Sequence, residues 1–132
     1  MVVHVDGGAR GNPGPAAAAA VATTPEGEEL AESSAYLGEV TNNVAEYRAV
    51  LLGLELARSL GAREVEVIND SELVAGQIGG EYKVKSAGLK PLFIETMREL
   101  RGFDRWSVRS VRREDNVRAD ELVNEELDRA GS

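Results

Sequence analysis

The sequence predicts an α/β fold in which a mixed five-stranded sheet has helices on its faces. Its first third contains three short β-rich runs separated by turn residues, including Pro-Glu-Gly at 25–27. The remainder alternates helical periodicity with two further short strands, an order that favours parallel, right-handed crossovers. The 132 residues are enough to bury a core, so we expect residues 1–132 to form one domain.

Each element follows from its local sequence. Val2, Val3 and Val5 are β-branched and suit a strand buried on both faces. The first helix repeats apolar residues at helical spacing and ends at the stop signal of Gly61, while Pro91 fits the first turn of the third helix. The predicted strands are 2–5, 16–23, 29–37, 64–68 and 106–111, and the predicted helices are 43–60, 71–78, 89–100 and 116–130.

Composition excludes several kinds of site. Cysteine is absent and His4 is the sole histidine, which excludes thiolate and multi-histidine metal sites. We interpret His4 as a packed core side chain. The net charge of −8 argues against a generally basic nucleic-acid binder, although carboxylates that hold cations would contribute to that figure. No apolar run has membrane-spanning length and no export signal is visible, so we expect a cytoplasmic protein.

Four acids occupy positions that are unusual for solvated carboxylates. Asp6 follows the first buried strand, and Asp70 follows the strand at 64–68. Glu46 and Asp120 fall on the apolar rows of two helices. If the four converge, their repulsion calls for divalent cations, and an all-oxygen ligand set selects Mg²⁺ or Mn²⁺ over zinc. Such a cluster suits hydrolysis of phosphodiesters.

Each acid also has an ordinary structural interpretation. Asp6 could end a turn before two glycines. Glu46 could form a capping box with Asn43, and Asp70 could cap the helix that follows it. Asp120 could be a solvated helical residue. Only convergence of the four acids in space would decide against these alternatives.

Five stretches of the chain together resemble the type-I ribonuclease H family, in a compact form without its long basic extension and its Gly-His loop. The stretches are VDGGARGNPGP (5–15), TNNVAEYRAVLLGLELA (41–57), INDSELV (68–74), GEYKVKSAGLKPL (80–92) and VRREDNVRADELVNEELD (111–128). The resemblance implies the ribonuclease H-like fold, with strand order 3-2-1-4-5 and the strand of Asp6 at the centre.

The resemblance also implies an activity. It is the endonucleolytic hydrolysis of the RNA strand of RNA–DNA hybrids by two Mg²⁺ ions, for which Mn²⁺ substitutes, giving 5′-phosphate and 3′-hydroxyl ends. Asp6 would bridge both ions, Glu46 and Asp70 would hold the leaving-group ion, and Asp120 the nucleophile's ion. No membrane or protein partner is implied, and we expect a monomer.

Substrate contacts are implied in the same way. Amides and a helix N-terminus can bind a 2′-hydroxyl and a phosphate, although plain helix capping is the alternative for Asn42 and Asn43. The basic loop that replaces the extension is either a DNA contact or a solvated face. The implied contacts are Gly7, Gly8, Asn12, Thr41, Asn42, Asn43, Ser71, Tyr82, Lys83 and Lys85.

The loop before the last acid has no histidine. Arg113 is our first candidate to replace it as an auxiliary group, with Asn116 beside it, and Arg112 is the second candidate; the alternative is that Arg113 only pairs with Glu114 or Glu121 at the surface. Two other functions stay open at this point, a module that binds hybrids without cutting them and another nuclease or strand-transfer enzyme built on the same sheet. The four intact acids favour cleavage.

Overall fold

A five-stranded mixed sheet forms the centre of the structure, a computed structural model that describes residues 1–131. The strands are β1 (Val2–Ala9), β2 (Gly14–Thr23), β3 (Glu29–Val40), β4 (Glu64–Asn69) and β5 (Arg105–Ser110). Their order is β3-β2-β1-β4-β5, antiparallel from β3 to β1 and parallel from β1 to β5. The predicted fold and strand order are confirmed.

In the described part of the chain, four α-helices flank the sheet. They are α1 (Asn42–Ser59), α2 (Glu72–Ile78), α3 (Lys90–Leu100) and α4 (Val117–Arg129), and a 3-10 turn spans Arg113–Asp115. None of the helices in residues 1–131 has the length and apolar composition needed to cross a bilayer. Each helix begins or ends within a residue or two of its prediction, while the 3-10 turn was not predicted.

The first strand is longer than the sequence suggested. We predicted that it ends at Val5, but Gly7 and Gly8 continue the ladder and pair with Ala18 and Ala17 of β2. Glycines weaken a strand and by local preference favour a turn, yet pairing across the sheet outweighs that preference here. Similarly, β3 continues past the predicted Leu37 to Val40, because it stays paired with β2 to the end.

Helices cover both faces of the sheet, and small residues of β2 let them come close. On one face, Val3, Val5 and Leu54 belong to the larger apolar core, to which α1, α2 and α3 contribute. On the other, Ala17 and Ala19 of β2 pack with side chains of α4. Val3 and Val5 of β1 are fully buried on one face, whereas Val2 and His4 on the opposite face are only partly buried, so the predicted burial of this strand on both faces is confirmed only in part.

Gly7 marks the closest approach between β1 and α1. A Cβ atom built on Gly7 would lie 2.1 Å from the carbonyl oxygen of Ala45 and 2.7 Å from the backbone nitrogen of Glu46. Backbone atoms cannot turn aside as a flexible side chain can, so only glycine fits without moving the helix. Gly8 differs, because its Cβ would meet only a Val123 methyl group at 3.8 Å.

This difference gives a test of the packing. Gly7→Ala should lower the free energy of unfolding by at least about 2 kcal/mol, since α1 must shift away from β1. Gly8→Ala, the matched substitution one residue along the same strand, should change it by less than about 1 kcal/mol. Denaturant unfolding of both variants measures the two values. Equal effects would show that the close contact at Gly7 does not determine stability.

Candidate active site

All four predicted acids line one cleft, at the edge of the sheet where the parallel strands end. Asp6 lies on β1, Asp70 follows β4, and Glu46 and Asp120 lie in the early turns of α1 and α4. The cleft has a volume of about 740 Å³, and we call it the acidic cleft. Oxygens of Asp6, Glu46 and Asp70 lie within 4.8 Å of one another. The predicted convergence of the four acids is confirmed.

The structural alternatives for two of these acids do not hold. Helix α1 is capped by Thr41, whose hydroxyl accepts a hydrogen bond from the Val44 amide at 3.3 Å, so Asn43 is not the cap and Glu46 is not its partner. Helix α2 is capped by Ser71, whose hydroxyl accepts from the Val74 amide at 3.2 Å. Asp70 and Glu46 are therefore in the cleft for a reason other than capping.

The electrostatics of the acid cluster are unfavourable in the absence of a cation. Burial, followed by the charges of Asp70 and Asp120, raises the pKa of Asp6 to about 8. Burial, followed by the charges of Asp6 and Asp70, raises the pKa of Glu46 to about 9, although a hydrogen bond from the Gly7 backbone opposes the shift. The two groups are 5 % and 9 % exposed. Such carboxylates ionise readily only when a positive charge joins them.

The donor set fits a hard divalent cation. Asp6, Glu46 and Asp70 each offer an oxygen ligand, and the Oε2 atom of Glu46 is buried and accepts no hydrogen bond from residues 1–131. A buried carboxylate oxygen without a partner is costly, and a cation would satisfy it. His4 does not line the cleft; it is half-buried beside Asn116, and burial and Arg109 lower its pKa. Oxygen ligands alone favour Mg²⁺ or Mn²⁺.

Arg113 lies at the rim of the acidic cleft. Its Nε atom is 3.6 Å from Oδ2 of Asp70, and its side chain is 79 % exposed. The alternative pairing that we weighed from the sequence is wrong, because Glu114 pairs with Arg112 at 3.9 Å and Glu121 with Arg118 at 3.1 Å. The guanidinium therefore adds positive charge directly beside one of the acids.

Two asparagines fix the β1–β2 turn to the start of α1. The side-chain Oδ1 atom of Asn42 accepts a hydrogen bond from the backbone N–H of Ala9 at 2.8 Å. The backbone N–H of Asn42 donates to the side-chain Oδ1 atom of Asn12 at 3.0 Å. Asn42 thus secures the turn rather than capping its own helix. Asn42 and Asn43 line the cleft, as do Gly7, Gly8 and Ser71, whereas Asn12 and Thr41 are exposed residues outside this lining.

Other predicted residues lie outside the acidic cleft. Tyr82, Lys83 and Lys85 are exposed in the segment between α2 and α3, where the Tyr82 ring packs so closely on Gly76 that a Cβ there would be 2.3 Å from it. Asn116 is buried, and its Nδ2 atom donates to the Val5 carbonyl oxygen at 2.8 Å. Asn116 therefore joins the start of α4 to β1 and does not face the cleft.

Two further polar residues of the cleft, Arg10 and Asn124, are not among the site residues predicted from the sequence. Asn124 follows Asp120 by four residues and donates from its side chain to the Asp120 carbonyl oxygen at 3.1 Å. That spacing places both side chains on one side of α4, so Asn124 was open to prediction. Arg10 lies within the stretch at 5–15 that resembles the family, but no local pattern shows where its long side chain ends.

Comparison with known proteins now identifies the family. A family model described as reverse transcriptase-like matches residues 4–126. The ribonuclease H1 of Halobacterium salinarum has a TM-score of 0.94 and 40 % identity, covering 97 % of each chain. LC11 ribonuclease H1, solved in complex with an RNA/DNA hybrid, has a TM-score of 0.94 and 46 % identity over 99 % of each chain.

This chain belongs to the type-I ribonuclease H family. A Mycobacterium tuberculosis relative called a bifunctional protein is 44 % identical over 131 residues, which are 98 % of this chain and 36 % of the relative. The chain thus spans about a third of the length of that curated relative. The compact form predicted from the sequence agrees with the ribonuclease H1 structures that it matches.

The raised pKa values of Asp6 and Glu46 predict how stability depends on pH without metal. Both folded-state pKa values lie above those of the unfolded chain, so the folded protein holds protons that the unfolded chain has released. The contribution of these two carboxyl groups to the free energy of unfolding is fully present below about pH 4 and is lost as the pH rises to about 9. Thermal unfolding in chelator should therefore show this loss in the parent chain.

The matched control is the double variant Asp6→Asn, Glu46→Gln, which lacks both titrations. The parent should be less stable than this variant at pH 9 by at least about 1 kcal/mol, and the difference should shrink toward pH 5. Excess Mg²⁺ should stabilise the parent more than the variant at the higher pH. A difference that is independent of pH would contradict the electrostatic account of the cluster.

Proposed function

We propose that this chain is an endoribonuclease that hydrolyses the RNA strand of RNA–DNA hybrids with two divalent cations. The observation that supports it most directly is the convergence of Asp6, Glu46, Asp70 and Asp120 in one open cleft. A relative of the same size and fold has been solved with an RNA/DNA hybrid, which supports the substrate. Cleavage would leave 5′-phosphate and 3′-hydroxyl ends.

The four acids are suited to hold the two ions, Mg²⁺ in the first instance with Mn²⁺ as a substitute. Asp6 interacts with both Asp70 and Asp120, which supports its role as the ligand shared between the two ions. Glu46 and Asp70 would complete one site, and Asp120 the other. When bound, two such ions stabilise the attacking and leaving oxygens of an in-line displacement at phosphorus.

The residues around the cluster would position the hybrid. Gly7 and Gly8 line the cleft beside Asp6, and Gly8, which is partly exposed there, would let a nucleic-acid backbone come near. Asn42 and Asn43, exposed at the first turn of α1, can bind a 2′-hydroxyl, and Thr41 marks the helix start that favours a phosphate. Ser71 lines the same cleft beside Asp70, and Asn12 contributes by fixing Asn42.

Tyr82, Lys83 and Lys85 are proposed as a separate contact to the DNA strand. They are exposed and lie outside the acidic cleft, as a contact to the second strand of a duplex requires. We also propose that the chain acts as a monomer in the cytoplasm.

The decisive experiment is hydrolysis of a hybrid labelled on one strand at a time. With Mg²⁺ or Mn²⁺, only the RNA strand should be cut, and chelator should abolish cleavage. Duplex DNA of the same sequence is the control for strand choice, and end analysis of the products tests the 5′-phosphate. Binding of the hybrid without cutting would instead support a recognition module, and cutting of duplex DNA would indicate another nuclease.

The acids should be essential for cleavage. Asp6→Asn, Glu46→Gln and Asp70→Asn should each lower the rate at least about a hundredfold, because each removes an anionic ligand while keeping its shape. Circular dichroism should show the fold unchanged. Glu125→Gln on α4, an exposed acid outside the cleft, is the matched control and should cleave at the parent rate. Parental activity in an Asp6 or Asp70 variant would refute the assignment.

Arg113 should support turnover rather than binding. Its guanidinium stays protonated across the working range, so beside Asp70 it can attract a phosphate or stabilise charge but cannot act as a base. Arg113→Ala should lower kcat several-fold with a smaller change in KM. Arg112→Ala removes an equally exposed arginine that pairs with Glu114 and is the matched comparison. The same kcat in parent, Arg112→Ala and Arg113→Ala proteins would exclude the role.

A further inference from the structure

Arg10 lies on the side of the acidic cleft formed by α4. It follows β1 in the turn to β2 and lines the cleft together with Asn124. One of its guanidinium nitrogens is 2.9 Å from Oδ1 of Asp128 and 3.4 Å from Oδ1 of Asn124. Its side chain is 37 % exposed, so it remains open to a ligand entering the cleft.

The distribution of charge along the cleft gives Arg10 its significance. Of the described residues that line the cleft, Arg10 and Arg113 are the basic ones. Arg113 contacts Asp70 on one side of the acid cluster, while Arg10 contacts α4 on the other. A strand whose reacting phosphate lies at the acids carries further phosphates in both directions. A strand laid along the cleft from Arg113 to Arg10 would therefore meet one guanidinium on each side of the acids.

We propose that Arg10 binds a backbone phosphate of the RNA strand next to the phosphate that is hydrolysed, on the α4 side of the cleft. This inference rests on the proposed function. It adds to that function a residue that binds the substrate and the side of the acid cluster on which the residue lies. The guanidinium suits the role because its fork of N–H donors matches two oxygens of a phosphate and keeps its charge at any working pH.

The backbone presents Arg10 from a fixed position. The Arg10 amide donates to the Pro15 carbonyl oxygen at 2.8 Å, and a Cβ on Gly14 would lie 2.3 Å from the Arg10 carbonyl oxygen, so the turn is tightly closed. The preceding residue, Ala9, is held by Asn42 of α1. A side chain on such a turn loses less conformational entropy on binding than one on a mobile loop.

Asp128 competes with the phosphate for Arg10. Its side chain is 70 % exposed, and exposed ion pairs of this kind contribute little to stability, so a phosphate can displace the carboxylate at low cost. The direction of the effect of removing Asp128 therefore distinguishes two possible roles of Arg10. If the pair only secures α4, removal of either partner has the same effect. If Arg10 binds substrate, removal of Asp128 has the opposite effect to removal of Arg10.

The test is steady-state cleavage of a hybrid by the full chain with Mg²⁺ at several salt concentrations. Arg10→Ala should raise KM about tenfold at low salt, with a smaller change in kcat, and should flatten the log–log salt dependence of kcat/KM by about one. Asp128→Asn should lower KM about two- to threefold. Arg10→Lys, which keeps the charge without the fork, should fall between parent and Arg10→Ala.

Two control variants match these charge changes elsewhere on α4. Arg129→Ala removes a positive charge that pairs with Glu126, and Glu125→Gln removes a negative charge that pairs with Arg118; both residues lie outside the cleft. Thermal unfolding of every variant separates loss of fold from loss of binding. If Arg10→Ala does not fold, Arg10→Lys and Asp128→Asn still decide the outcome.

The possible failures are distinct. A parent chain that does not cut hybrids overturns the proposed function itself. A parent that cuts hybrids while Arg10→Ala matches Arg129→Ala in KM and salt dependence overturns the assignment of Arg10. A rise in KM for Asp128→Asn as well as for Arg10→Ala also overturns it, because the pair would then act only by holding α4.

Discussion

The contact between Gly7 of β1 and Ala45 of α1 is the constraint on which the rest of the site depends. With no side chain on Gly7, the helix backbone comes close enough for the Gly7 backbone to donate to Glu46. Asp6 precedes that contact on the strand and Glu46 follows it on the helix. One close approach of two backbones therefore brings together carboxylates that are far apart in the sequence.

The cost of this arrangement is the burial of carboxylates beside one another, and it is confined to one cleft rather than spread over the surface. Asp6 and Glu46 are buried, so their raised pKa values reflect lost solvation first and neighbouring charge second. The protein tolerates this because the surrounding core is held by apolar packing on both faces of the sheet. A site that is unfavourable without cations is by the same measure favourable for binding them.

The sequence predicted the elements and the acids well because both depend on local pattern. Strand and helix periodicity is visible along the chain, and a carboxylate on an apolar row is visible as an exception to that pattern. It failed where the outcome depended on contacts through space. Nothing near Gly7 indicates that pairing with β2 would continue β1, and nothing near Arg113 indicates Asp70 as its partner. The true caps, Thr41 and Ser71, lay one or two residues from those expected, a difference set by backbone geometry.

The net charge of this chain does not show whether it can bind nucleic acid, because its acids are not spread evenly over the surface. The formal charge of −8 includes four acids gathered in one cleft, where cations would neutralise them. Other acids are paired at the surface, as on the outer side of α4, where Arg118 contacts Glu32, Glu121 and Glu125. Salt screens the electrostatic potential of such surface pairs over about 10 Å. The potential that a polyanion experiences in the cleft is therefore set by the charged groups within that distance. With cations held there as proposed, those groups are the cations and the guanidinium groups of Arg10 and Arg113, so a net charge of −8 does not by itself argue against a nucleic-acid ligand.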